Sequence, residues 1–296
     1  MSNRTARSVL QARFVLRHRA HMAARGRLWS ALGVALAAAG CAPRGPRAHE
    51  SATDPLRHRV EIGAQAGSGL SYLRAGDATG PRVILVHGTP GSATAWADYL
   101  VEPPPGLEVL APDRPGFGQS DPDSAVPGLA EQAAAVLALM PSDGRPVVLL
   151  GHSLGGPVVA RAAAEHPARV TAVVLLSASL DPTLERIHMM QYLGAWSPVS
   201  RLLPRALRNA NAELMALETE LQALATMLPL IRAKVVIVHG TRDDLVPVAN
   251  VPYMQSRLTG ARCVHTTLLE GRNHFLPWNS EDAVRDAIRM ALEPAC

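Results

Sequence analysis

Residues 146–156 constrain the fold of this chain more than any other stretch. Pro146-Val147-Val148-Leu149-Leu150 is a short apolar run with β-branched residues, the pattern of a strand buried on both faces. It stops at Gly151-His152-Ser153-Leu154-Gly155-Gly156, and an alanine-rich helical pattern begins at Pro157. Strand, tight turn and helix follow one another without a spacer. Within the turn Gly151, Ser153 and Gly155 match G-x-S-x-G, in which a serine is held on a strained bend with its hydroxyl above the end of a buried strand. The flanking glycines have a steric reason, since a Cβ there would strike the neighbouring strand or the helix that starts beneath the bend.

The pattern on both sides supplies a sheet to hold this bend. Strands are expected at 58–62 and 70–74 as an antiparallel opening pair, then at 83–86, 108–111, 147–150, 170–176, 235–238 and 263–269. Helical patterns lie between them, at 129–140, 156–165, 212–227 and 281–292. Continuous apolar strands alternating with amphipathic helices imply an α/β fold, a mostly parallel eight-stranded sheet with helices on both faces. Function in such a sheet belongs at the C-terminal ends of the strands. No internal repeat interrupts the alternation.

With 48% hydrophobic residues in 296, the chain can bury one large domain and cannot be mainly disordered. Its net charge of +4 suggests an acidic partner until the charge is located. Residues 1–40 hold seven arginines and no acid, and the remainder carries 22 basic against 25 acidic residues, a net −3. The basicity belongs to the leader, and no basic patch interleaved with aromatics points to nucleic acid. Arg25 and Arg27 precede an apolar stretch at 28–39, the length of a signal-peptide core and too short for a permanent span. The stretch ends Ala37-Ala38-Ala39-Gly40-Cys41, which resembles a bacterial lipobox with Cys41 as the acylated residue, although Ala38 stands where leucine is preferred. Residues 1–40 are therefore expected to be a signal peptide, with Met22 an alternative start, and 41–55 a lipidated tether. An organellar transit peptide and ordinary secretion are the alternatives. Of the remaining cysteines, Cys263 and Cys296 either pair or stay free, and no His/Cys spacing suggests zinc.

Four more motifs fall at strand ends. His87-Gly88-Thr89-Pro90-Gly91 follows the third strand. A serine attacking a carbonyl creates an oxyanion that needs two N–H donors, one from this loop and one from the residue after the serine, here Thr89 and Leu154. Asp113-Arg114-Pro115-Gly116-Phe117-Gly118-Gln119-Ser120 follows the fourth strand and reads as a structural loop near the pocket. Asp243 and Asp244, after the seventh strand, and more remotely Asp181, offer a carboxylate to fix a histidine tautomer. His274, after the last strand, can reach the serine as general base and then protonate a leaving group. The other histidines have plainer readings: His152 fills the variable position of the bend and His87 shapes a loop.

Nucleophile, acid and histidine in that chain order, with the H-G-T-P-G, D-R-P-G-F-G-Q-S, G-H-S-L-G-G, G-T-R-D-D-L-V-P and N-H-F-L-P-W stretches, resemble the α/β-hydrolase superfamily across roughly residues 56–294. The resemblance implies a domain over 56–296 with a short helical cap inserted at about 181–212. Its G-x-x-D-x-x-V-P spacing selects Asp243 over Asp244. It implies a serine hydrolase cleaving esters of small to medium apolar acids: Ser153 attacks, His274 relays the proton, and Asp243 orients His274. Met189, Met190 and Trp196 of the cap are expected to contact an apolar substrate. No metal or organic cofactor is implied. Perhydrolase or C–C bond hydrolase chemistry with the same triad, or a non-catalytic binding role, are the alternatives. The expected partners are a small-molecule ester and, through Cys41, a membrane. The expected place is the bacterial cell envelope, facing the periplasm or the surface, or else secretion in soluble form.

Overall fold

The strand expected to carry the bend is buried along its whole length, and the sheet is built outward from it. The structure, a computed structural model, describes residues 51–62, 68–140 and 142–296; the leader, Met22 and Cys41 lie outside the described residues. Eight strands form one sheet: β1 (Arg57–Glu61), β2 (Gly69–Gly76), β3 (Arg82–Val86), β4 (Glu108–Pro112), β5 (Val147–His152), β6 (Ala172–Leu176), β7 (Lys234–Gly240) and β8 (Cys263–Leu269). Their order is β1-β2-β4-β3-β5-β6-β7-β8. The pairs β1–β2 and β2–β4 are antiparallel, and every later pair is parallel. The expected opening hairpin and mostly parallel sheet are both present.

Alternate residues of each central strand feed two separate cores. Val147 and Leu149 of β5, with Ile84 and Val86 of β3, face one side. There they meet α2 (Leu129–Leu137), α3 (Gly155–Glu165) and α7 (Asn250–Arg257). Val148, Leu150, Val83 and Leu85 face the other, against α1 (Ala97–Val101) and α9 (Glu281–Leu292). Between β6 and β7 run α4 (Met189–Ala195), α5 (Ser197–Ser200) and the long α6 (Arg205–Ala225); α8 (Leu276–Asn279) is a single turn before α9.

Two helix boundaries differ from the sequence expectation for identifiable reasons. The helix expected at 129–140 ends at Leu137; Pro141 follows closely, and the residue before a proline is driven out of the helical region. The helix expected from 212 starts at Arg205 instead. Its first turns bury Asn209 and Glu213, polar residues that an apolar periodicity does not count.

Cys263, at the start of β8, is disulfide-bonded to Cys296 with a Cα–Cα separation of 6.1 Å. The bond settles a pairing the sequence left open and ties the tail beyond α9 to the edge strand. Beside it, the buried Lys234 ammonium donates to Ala295 O at 2.8 Å. No helix among the described residues is long and apolar enough to cross a membrane.

Candidate active site

The site starts from a backbone conformation. Ser153 has φ = 55°, a left-handed value that costs a residue with a Cβ roughly 1–2 kcal/mol. Its N–H bonds Leu176 O of β6 at 3.0 Å, and its carbonyl accepts from Gly156 N–H at 2.9 Å. Strand and helix together hold the bend. A Cβ on Gly151 would come within 2.2 Å of Gly155 O, and one on Gly155 within 2.3 Å of Val86 O. The glycines are there because backbone passes too close for anything larger.

The loop after β3 lies against the serine, since a Cβ at Gly88 would stand 3.3 Å from Ser153 Oγ. Thr89 is the next residue of that loop. The N–H groups of Thr89 and Leu154 have no acceptor among the described residues. An oxyanion site requires two such unclaimed donors.

That loop is held from below by Arg114, which the sequence reading assigned no individual role. Its guanidinium donates to His87 O and to Gly88 O, each at 3.0 Å, and its backbone N–H donates to His87 Nε2 at 3.0 Å. His87 therefore carries its proton on Nδ1, which donates to Gly88 O at 2.7 Å. Burial, aided by the Arg114 charge, keeps that imidazole well below its ordinary pKa and so neutral. The Arg114 charge is balanced by Glu213 of α6 through contacts of 2.6 and 3.1 Å, both side chains being buried. Gln132 Nε2 adds a third donor to Glu213 at 3.2 Å.

Removing one partner of such a pair strands the other charge, at a cost of about 3–5 kcal/mol. Glu213→Ala is therefore expected to lower the thermal midpoint by roughly 10 °C. Arg114→Met with Glu213→Leu is expected to recover most of the loss, as the two buried charges disappear together. Thermal unfolding of the three variants beside the parent checks this.

Asp243 and His274 meet at the other side of the bend. His274 Nδ1 lies 2.8 Å from Asp243 Oδ2, and both residues are buried. Asp243 Oδ1 accepts the N–H groups of Leu245 at 3.0 Å and Val246 at 2.8 Å. Burial alone would raise this carboxyl, but the hydrogen bond and charge interaction with His274 and the Val246 N–H hold it below its usual range. It is an anion, and Nδ1 of His274 carries the proton between them. Asp244 is exposed, and Asp181 Oδ1 caps the Thr183 N–H at 2.9 Å. Neither contacts the histidine.

His152, inside the bend, carries a contact the sequence did not reveal. Its Nε2 lies 3.0 Å from His274 O and its ring centroid 4.8 Å from that of His274. Burial, followed by the adjacent His274, pushes His152 down to about 3, so it serves as a neutral strut. It ties the histidine loop to the serine bend. Ser153 Oγ itself forms no hydrogen bond with His274 among the described residues. Such bonds are often long in unliganded sites and tighten in the complex.

A cleft of about 500 Å3 adjoins the loop after β3, lined by Pro90, Gly91 and Ser92, by residues 116–118, and by Arg205 and Ala206 of α6. Met189, Met190 and Trp196, the expected substrate contacts, do not line it; they are 81%, 52% and 61% exposed. Glycine, proline and serine gave the sequence reading no apolar pattern to mark this cleft. The described residues contain no group of three or more His, Cys, Asp or Glu that could hold a metal ion.

A mostly parallel eight-stranded sheet with a serine bend after β5, a carboxylate after β7 and a histidine after β8 defines the α/β-hydrolase architecture. Residues 81–224 match the alpha/beta hydrolase fold family, and the chain has that fold. It is similar to the pimeloyl-[acyl-carrier protein] methyl ester esterase of Aeromonas hydrophila, 29% identical over 66% of this chain and 89% of that protein. It is 39% identical to a non-heme chloroperoxidase of Streptomyces lividans over a shorter stretch, 38% of this chain and 42% of that protein. Among solved structures, the monoacylglycerol lipase of Paleococcus ferrophilus superposes with a TM-score of 0.60 at 21% identity, covering 75% of this chain and 98% of that one. At that identity the likeness concerns the fold.

Proposed function

We propose that the protein is a serine hydrolase that cleaves carboxylic esters of small to medium apolar acids through an acyl-enzyme. The observation that carries this reading is the buried 2.8 Å bond between Asp243 and His274. An aspartate anion on Nδ1 fixes the tautomer in which Nε2 presents the lone pair a general base needs. Ser153 Oγ attacks the ester carbonyl carbon while its proton passes to His274 Nε2. The carbonyl oxygen becomes an oxyanion received by the N–H groups of Thr89 and Leu154, a pair whose members each contribute about 3–4 kcal/mol to the barrier in comparable sites. The tetrahedral species expels the alcohol, which takes the proton from His274. Water then repeats the sequence on the acyl-enzyme and releases the acid. The esterase name of the Aeromonas relative supports the ester substrate, and the open cleft beside the oxyanion loop suits a modest acyl group.

Location belongs to the same proposal. The Cys263–Cys296 disulfide fits an oxidising compartment such as the periplasm. The Arg-rich leader and Cys41 fit export with a lipid anchor.

The test is turnover of a p-nitrophenyl ester series from acetate to decanoate, with a fluorophosphonate probe applied in parallel. Turnover with an optimum at short or middle chain length, and labelling of Ser153, is the expected result. A labelled Ser153 without turnover of any ester would mean an activated serine with another substrate class. In that event peroxide is added to test the perhydrolase reading raised by the chloroperoxidase relative. Absence of both labelling and turnover would leave a binding protein on a hydrolase fold.

A further inference from the structure

Most of the large hydrophobic side chains exposed among the described residues belong to the segment between β6 and β7. Met189, Met190, Tyr192, Leu193, Trp196 and Leu202 are between 45% and 85% exposed. Large exposed hydrophobic side chains are otherwise sparse: only Leu230, Leu245 and Leu268 among the described residues join them. Six such side chains fall within fourteen consecutive residues, and a concentration of exposed apolar side chains marks an interaction site.

The charges along this segment have one sign. From Arg186 to Arg208 the chain holds four arginines and no acid. Arg205 is engaged by the carbonyls of Gly118, Ser120 and Pro122 and by Asp123. The guanidinium groups of Arg186, Arg201 and Arg208 have no partner among the described residues. The nearest acids in sequence are also unavailable, because Glu185 is held by Ser179 and Glu213 by Arg114. A segment of exposed apolar side chains interspersed with unpaired guanidinium groups thus stands on a body whose residues beyond 40 carry a net −3.

We propose that this face docks the protein onto an anionic lipid surface, with Trp196 and Tyr192 at the headgroup level, the methionine and leucine side chains in the acyl boundary, and Arg186, Arg201 and Arg208 on lipid phosphates. Tyrosine and tryptophan among aliphatic residues, with arginine at the rim, is the composition favoured at a bilayer interface. A second copy of the chain fits the face poorly, since a two-fold contact sets a patch against itself and would bring the arginines together. The face also connects to the cleft. Asn211 of α6 donates to Gln191 O of α4 at 2.9 Å, and the first turn of α6 lines the cleft beside the loop after β3. Docking in this way would open the cleft near the membrane, while the docking itself is independent of the esterase reading.

The experiment uses the full chain carrying Ser153→Ala, so that its outcome does not depend on hydrolysis. Tryptophan fluorescence is measured on vesicles with brominated acyl chains, of phosphatidylcholine alone or mixed with phosphatidylglycerol. Quenching on the mixed vesicles is expected to include a component that Trp196→Phe removes. Replacing Arg186, Arg201 and Arg208 together by glutamine is expected to weaken that component about 100-fold in lipid concentration, each guanidinium being worth roughly fivefold near an anionic surface. On phosphatidylcholine alone the same triple variant should match the parent. Quenching unchanged by Trp196→Phe would overturn the proposal even if the leader binds the vesicle, because this face would then point away from lipid. Insensitivity to phosphatidylglycerol would equally overturn it. A concentration-dependent dimer that Trp196→Ser abolishes, or absence of vesicle contact, would assign the face to a protein partner instead.

Discussion

Ser153→Ala is expected to lower kcat/KM on the best p-nitrophenyl ester by about 10^4- to 10^6-fold, the range in which removing a catalytic serine leaves only binding and oxyanion stabilisation. The loss is chemical rather than structural. The bend is fixed by backbone bonds of Ser153 to Leu176 and Gly156 and by the close approach around Gly151 and Gly155, none of which involves the hydroxyl. Alanine keeps the Cβ, so the strain at φ = 55° is unchanged, and Ser153 Oγ has no partner to lose among the described residues. The thermal midpoint should therefore stay within about 2 °C of the parent, as for substitutions that break no contact. Fluorophosphonate labelling should vanish with activity. Turnover above a tenth of the parent's would place the nucleophile elsewhere and sink the proposed mechanism.

What the sequence revealed follows from how local each signal is. The bend at 151–156 was legible because strand, turn and helix are contiguous and the glycines answer to contacts within a few residues. The central strands β3 to β7 were legible because both their faces are buried, which writes an unbroken apolar run into the chain. Arg114 and Glu213 were not legible, because they stand 99 positions apart and nothing in the local pattern of either names the other. His152 was read as filler for a similar reason: its partner is the carbonyl of His274, and a backbone acceptor leaves no mark on the sequence. The exposed residues between β6 and β7 show the converse difficulty. An apolar helical face reads the same whether it covers a core or meets a ligand or partner, and the exposure of Met189, Met190 and Trp196 excludes only the core.

The choice between adjacent carboxylates gives the second large effect. Asp243→Asn is expected to reduce kcat by about 10^4-fold with little change in KM, whereas Asp244→Asn should stay within about twofold of the parent. The geometry decides how asparagine would sit. The Oδ1 position of Asp243 faces two donors, the N–H groups of Leu245 and Val246 at 3.0 and 2.8 Å. An amide NH2 placed there would oppose both, so the asparagine oxygen takes that position and the NH2 turns toward His274 Nδ1. Nδ1 must then accept, which moves the ring proton to Nε2. The face of His274 that should take the Ser153 proton would already be occupied by one. Because both rotamer and volume are retained, Asp243→Asn should fold and should bind substrate, and the deficit should appear in kcat. Asp244 is exposed and touches neither histidine nor bend, so its amide changes only a surface charge. Steady-state kinetics of the two variants on one ester checks the pair, and equal losses in both would remove Asp243 from its assigned role.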